Sequence, residues 1–145
     1  MSDLFAGQSA IVARLTAQVT TATTYYGSQI VGANSQAVSL PCLIVAPGTA
    51  EVPPQLHSDE GGAVGEDHRW RIGIRVSMDT GAAAAARAEP LIGTLARSVI
   101  VALKAWQPGL GHSVMRYHGH EDLQYVAESG YAELWLTFGT ITVIN

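Results

Sequence analysis

The stretch HSVMRYHGHED, from His112 to Asp122, holds three histidines (His112, His118, His120) and two acids (Glu121, Asp122) in eleven residues. These residue types bind divalent metals and move protons near neutral pH. His118 and His120, two apart on a strand, would point the same way and need a third converging ligand. No HExxH, CxxC or comparably spaced partner is present, and Gly119 marks a turn or bulge. The expectation is surface histidines near a turn, with no metal. Nucleophilic chemistry fares no better. No serine has a G-x-S-x-G context, and the single cysteine, Cys42, lies in the apolar run LPCLIVAP, where a buried thiol is expected. The adjacent carboxylates Asp59-Glu60, Glu66-Asp67 and Glu121-Asp122 read as solvated loop pairs. GGAVGED lacks the flanking strand, helix and lysine of a phosphate loop. The reading is therefore no catalytic residue, no cofactor and no enzyme.

Other residues carry more information. In DHRWRIGIRVSMD, Trp70, Ile72, Ile74, Val76 and Met78 alternate with Arg69, Arg71, Arg75 and Ser77, so a strand would bury one set and present the arginines on the other face. In YAELWLTFGTITVI, Ala132, Leu134, Leu136 and Phe138 share one side, and Tyr131, Glu133, Trp135 and Thr137 the other. Glu133 is then placed to sit across from an arginine of the first strand. Trp and Arg on an uncovered sheet face suit a protein interface. Arg69, Arg71, Arg75, Glu133 and Trp135 are the expected interface residues.

The 145 residues fit one domain, with 48% hydrophobic and only 14% charged residues. So sparse a charge leaves much uncharged surface, which contact with further subunits would cover, and a homo-oligomer is expected. The net charge of −4 is unevenly placed: Glu51, Asp59, Glu60, Glu66 and Asp67 fall in a segment without Lys or Arg. No basic patch of the density used for phosphate binding is seen, so DNA binding by affinity is not expected. No apolar run approaches the roughly 18 residues of a bilayer span, and no membrane association is expected. The start MSDLFAGQSA lacks a signal peptide's basic and apolar regions, pointing to a soluble protein made in a reducing cytoplasm.

The elements that position these residues follow from periodicity. Residues 2–20 read as an amphipathic helix capped by Ser2, and strands are expected at Tyr25–Val31 and Leu40–Ala46, the second buried on both faces. Gly48–Glu66 shows no periodicity and reads as a long acidic loop at about 48–67 that orders on assembly. A long helix follows the RWRIGIRV strand, with Leu91, Leu95, Val99 and Leu103 on its core stripe, Pro90 in its first turn or at a kink, and Gln107-Pro108-Gly109 as its stop. Strands at His112–Tyr117 and Tyr125–Ile144, the latter interrupted at ESG and near Gly139, close the chain. The expected fold class is α+β, a mixed, mostly antiparallel sheet packed on two helices in a single domain.

The helix ending Ala102, Leu103, Trp106, Pro108, then a short strand ending Tyr117 and Gly119, then the long apolar strand Tyr131–Phe138, resembles the C-terminal half of small tail-terminator proteins of long-tailed phages, including the Mu-like branch. The N-terminal helix, the RWRIGIRV strand and the chain length fit as well. The resemblance implies a ring, usually of six copies, that caps the tail tube, stops its polymerisation and meets the head connector. The implied partners are further copies of the chain, the tail-tube protein and the connector or neck protein. The implied location is the tail–head junction of the virion, after assembly in the host cytoplasm. If the ring's bore is lined by Glu51, Asp59, Glu60, Glu66 and Asp67, DNA would pass without sticking. A neck or tail-tube subunit is the alternative, and a small enzyme or ligand-binding domain the outsider.

Overall fold

The computed structural model describes residues 5–32, 38–51, 64–78, 87–109 and 111–144. Its elements run α1 (Ala6–Gln18), β1 (Thr23–Tyr26), α2 (Gly27–Gly32), β2 (Cys42–Glu51), β3 (Val64–Ser77), α3 (Ala88–Leu103), β4 (Arg116–His120), β5 (Gln124–Val126) and β6 (Tyr131–Ile144). The sheet order is β1-β2-β3-β6-β4, with β5 also paired to β6. Among the described residues only β1 and β2 pair in parallel; every other pair is antiparallel. The fold is α+β, with α1 over β1 and β2, and α3 over β3 and β6, on one face of the sheet.

Strand β3 forms as the alternation requires. Trp70, Ile72, Ile74 and Val76 are buried, facing Ala132, Leu134, Leu136 and Phe138 of β6 through a continuous antiparallel register. Leu43 and Val45 of β2 join this layer, and Ile11 and Leu15 of α1 with Val19 at its C-cap close it at i, i+4, i+8 spacing. On α3, Ile92, Leu95, Val99 and Leu103 are buried, and Pro90 occupies the first turn, where its missing N–H breaks no helical bond. Among the described residues, no helix is long and apolar enough to cross a membrane.

Several expectations give way to local physics. The first helix starts at Ala6, and Ser2 lies outside the described residues. The strand expected over Tyr25–Val31 stops at Tyr26, because the amide of Tyr26 donates to Gln29 Oε1 at 2.8 Å and so starts a new helical turn, α2. The expected loop is shorter than its composition suggests. Gly48–Glu51 extend β2, Val64–Glu66 begin β3, and Glu51 pairs with Asp67 after an irregularity between Pro47 and Ala50. Leu91, expected in the core stripe, is 47% exposed, since the first turn of α3 lies by Ser77 at the end of β3, where the stripe outruns the sheet. Helix α3 ends three residues before Gln107-Pro108-Gly109. Ala105, at φ 61, leaves the helix and donates to Met115 O, while Met115 donates to Trp106 O. Strand β6 passes through Gly139 unbroken, paired there with Arg69 on one side and Arg116 on the other. The strand expected at His112–Tyr117 begins at Arg116, and His112 makes a single bridge to Thr142.

Candidate functional site

The face of the sheet away from α1 and α3 carries Asp67 and the three arginines of β3 and Glu133 of β6. Antiparallel register places Arg75 across from Glu133, and Arg75 Nε donates to Glu133 Oε2 at 2.5 Å. The other oxygen, Oε1, accepts from the indole nitrogen of Trp135 at 2.6 Å. One carboxylate thus fixes both a guanidinium and an indole. The Trp135 ring is stacked under the Arg71 guanidinium, 4.6 Å from its centroid, and Arg75 lies 4.5 Å from the Tyr131 ring centroid. Arg71 also meets Glu121 at 2.7 Å, and Arg69 meets Asp67 at 3.2 Å. All five expected interface residues therefore share one surface; Arg71, Arg75, Glu133 and Trp135 form a hydrogen-bonded and stacked network, and Arg69 pairs separately with Asp67.

Gly73 makes room for this network. It pairs with Ile44 on one side and Trp135 on the other, and a Cβ built there would come within 2.8 Å of the indole. The ring lies flat across the sheet because Gly73 has no side chain. Gly73→Ala should lift Trp135 from Glu133 and Arg71 and cost about 1–3 kcal/mol, the usual range for overpacking. Its check is urea unfolding together with the tryptophan emission maximum. The control is Gly93→Ala, with nothing within 4 Å of its Cβ position on exposed α3, which should gain up to about 1 kcal/mol from helix propensity.

The histidines that suggested chemistry are dispersed. His112 lies beneath α1, against the backbone of Gly7. His118 covers Gly139, and His120 Nδ1 bonds to Glu121 O at 2.7 Å. Gly119, at φ +103, accompanies an irregular register between Tyr117 and His120, so the two histidines sit within β4 and not in the turn beyond it. Among the described residues no three His, Cys, Asp or Glu side chains converge to hold a metal. Cys42 is buried, and burial pushes its thiol up to about 11, so it stays protonated at neutral pH.

A buried polar cluster escaped sequence reasoning. Continuing the β3 alternation backwards turns His68 and Glu66 to the same side as Trp70. His68 is 2% exposed, stacked on Trp70 at 4.3 Å between centroids, with Nδ1 3.5 Å from Glu66 Oε1. Among the described residues, His68 Nε2, Trp70 Nε1 and Glu66 Oε1 have no hydrogen-bond partner. Burial lowers the pKa of His68, opposed by Glu66 and reinforced by His112, and burial lowers that of His112 as well. The signal was present in the period-two pattern, but it ended in residues whose composition reads as loop.

The five acids thought to line a bore divide. Glu51 is exposed at the end of β2, Asp67 is tied to Arg69, and Glu66 turns inward beside His68. Asp59 and Glu60 lie outside the described residues.

The sequence model of the family described as phage tail terminator protein matches residues 1–142. A chain from the virion of a native gene transfer agent particle has a similar structure, with a TM-score of 0.60 at 19% identity. The match covers 99% of this chain and 100% of that one. No curated protein matches the sequence.

Proposed function

Because this chain belongs to the phage tail terminator family, a family of structural virion proteins, we propose that copies of it close into a ring, of six subunits, that caps the tail tube. The ring stops tube polymerisation and joins the tail to the head connector. The observation that carries this reading is the Arg71–Trp135–Glu133–Arg75 network. It is half-buried on a sheet face that neither α1 nor α3 covers. Arginine and tryptophan held rigid in this way are the residue types that anchor protein contacts. Arg69, Arg71, Arg75, Glu133 and Trp135 form one half of the subunit contact.

In the ring, the segment from Glu51 to Asp67 turns toward the bore. Glu51, Asp59 and Glu60 supply negative charge there, while Asp67 is paired with Arg69 and Glu66 turns inward beside His68. Like charge lets DNA pass without binding.

The test is electron microscopy of tails assembled without this protein. The expected result is overlong tubes without heads, restored to uniform length when the protein is added back. Tubes of normal length lacking heads would replace this reading with a neck role.

A further inference from the structure

A closed ring of identical subunits needs a head-to-tail contact, in which two different surfaces of the chain meet. The sheet-face network supplies one of them. The chain's unpaired charges point to the other.

Helix α1 contains no acid, and α3 contains only Glu89, which accepts a hydrogen bond from Tyr125 at its first turn. Between the two helices lies an open groove of about 450 Å³ that includes Arg14, Arg97 and Val101. Arg97, Val101 and Lys104 follow one another at i, i+4 and i+7, so they form one stripe along α3, and all three are exposed, Val101 to 72%. Arg97 and Lys104 have no ion-pair partner among the described residues, and Arg14 is held by Ala102 O at 3.0 Å and by the Trp106 ring. The opposite imbalance lies at the far edge of the sheet. From Tyr117 to the end of the chain there are four acids, Glu121, Asp122, Glu128 and Glu133, and no Lys or Arg. Glu121 and Glu133 serve the sheet-face arginines. Asp122 and Glu128, on either side of β5, are exposed and unpaired among the described residues.

We propose that the α1/α3 groove is the second half of the subunit contact and receives the acidic β4–β5–β6 edge of the neighbouring copy, with Arg97 and Lys104 meeting Asp122 and Glu128. This rests on the ring reading. It goes beyond it by naming the complementary surface and the residues that set its polarity. The acidic edge adjoins the sheet-face network through Glu121, so both belong to one continuous surface that one helix layer can cover. Exposed Val101 supplies the apolar centre, and the charges around it steer and orient the approach.

The experiment is charge reversal, read by sedimentation and native mass spectrometry with and without isolated tail tubes, at low and high salt. Arg97→Glu with Lys104→Glu, and separately Asp122→Lys with Glu128→Lys, should each abolish ring formation at low salt while circular dichroism stays native. A mixture of the two variants should form rings again, with the variants alternating, because each reversed groove then meets a reversed edge and each wild-type groove a wild-type edge. Combining all four reversals in one chain should restore rings. Wild-type rings that weaken at least tenfold between low and high salt would support the charged contact. Rings from either double variant alone, or no recovery in the fourfold variant, would overturn this pairing and leave the ring reading standing. A wild-type chain that forms no ring either in solution or on tubes would overturn both.

Discussion

Glu133→Ala should lower stability by about 3 kcal/mol, whereas Glu121→Ala, which also removes an acid from an arginine of the same strand, should stay within about 1 kcal/mol. The difference is burial. Arg75 and Glu133 are 19% and 15% exposed, while Arg71 and Glu121 are 37% and 57% exposed. Removing the Glu133 carboxylate leaves a largely desolvated guanidinium without its counter-charge and the Trp135 N–H without its acceptor, and both penalties fall on the folded state. Removing Glu121 exposes an arginine that water already reaches and that keeps its stack on Trp135. Glu133→Gln separates the two penalties, because an amide oxygen still accepts one hydrogen bond but carries no charge. It should recover about 1 kcal/mol of the loss. Urea unfolding of the three variants at fixed pH and salt checks the order. Equal losses for Glu133→Ala and Glu121→Ala would mean that the network contributes no more than a solvated surface pair.

That network was legible in the sequence because two clean period-two patterns specify both faces of two strands at once. With Trp70 and Phe138 inside, Arg75, Glu133 and Trp135 had to be outside, and the antiparallel register brought Arg75 to Glu133. The outer ends of β2 and β3 were not legible for the complementary reason. Beyond Pro47 and before Trp70 the strands outrun the apolar core, and pairing there rests on backbone hydrogen bonds, which leave no hydrophobic signature. The end of α3 was misplaced for another reason. Pro108 and Gly109 are strong local breakers, but the tertiary bonds of Ala105 and Trp106 to Met115 pull the chain out of the helix earlier. Gly119 was legible as a turn or bulge, but not that β4 continues through it and keeps His118 and His120 in the strand. Gly119 takes a positive φ, and its two neighbours then serve Gly139 and the Glu121 carbonyl in different places.

The same inward turn of β3 that hid His68 should make the protein's stability fall in acid. His68 and His112 both have pKa values below the ordinary 6.5, and desolvation is the leading cause for each. A neutral imidazole suits their surroundings: His68 packs face to face on Trp70 and His112 lies beneath α1. Well above pH 6.5 both are neutral, folded or unfolded, and contribute no pH dependence. As pH falls through 6.5 the unfolded chain takes up protons that the folded chain refuses, so stability drops until the lowered folded-state values are reached. The slope is at most about 1.4 kcal/mol per pH unit for each histidine that stays neutral in the fold. Glu66, 3.5 Å from His68, moderates the fall by favouring the imidazolium. His68→Leu keeps an apolar side chain against Trp70 and removes one titrating group. It should flatten the stability curve between pH 7 and 5 relative to the wild type, and His68→Leu with His112→Asn should flatten it further. His118 also has a pKa lowered mainly by desolvation, and it remains in both variants, so the differences isolate the buried cluster. Urea unfolding at half-unit pH steps measures this directly, and parallel curves for wild type and both variants would show that the cluster does not couple protonation to folding.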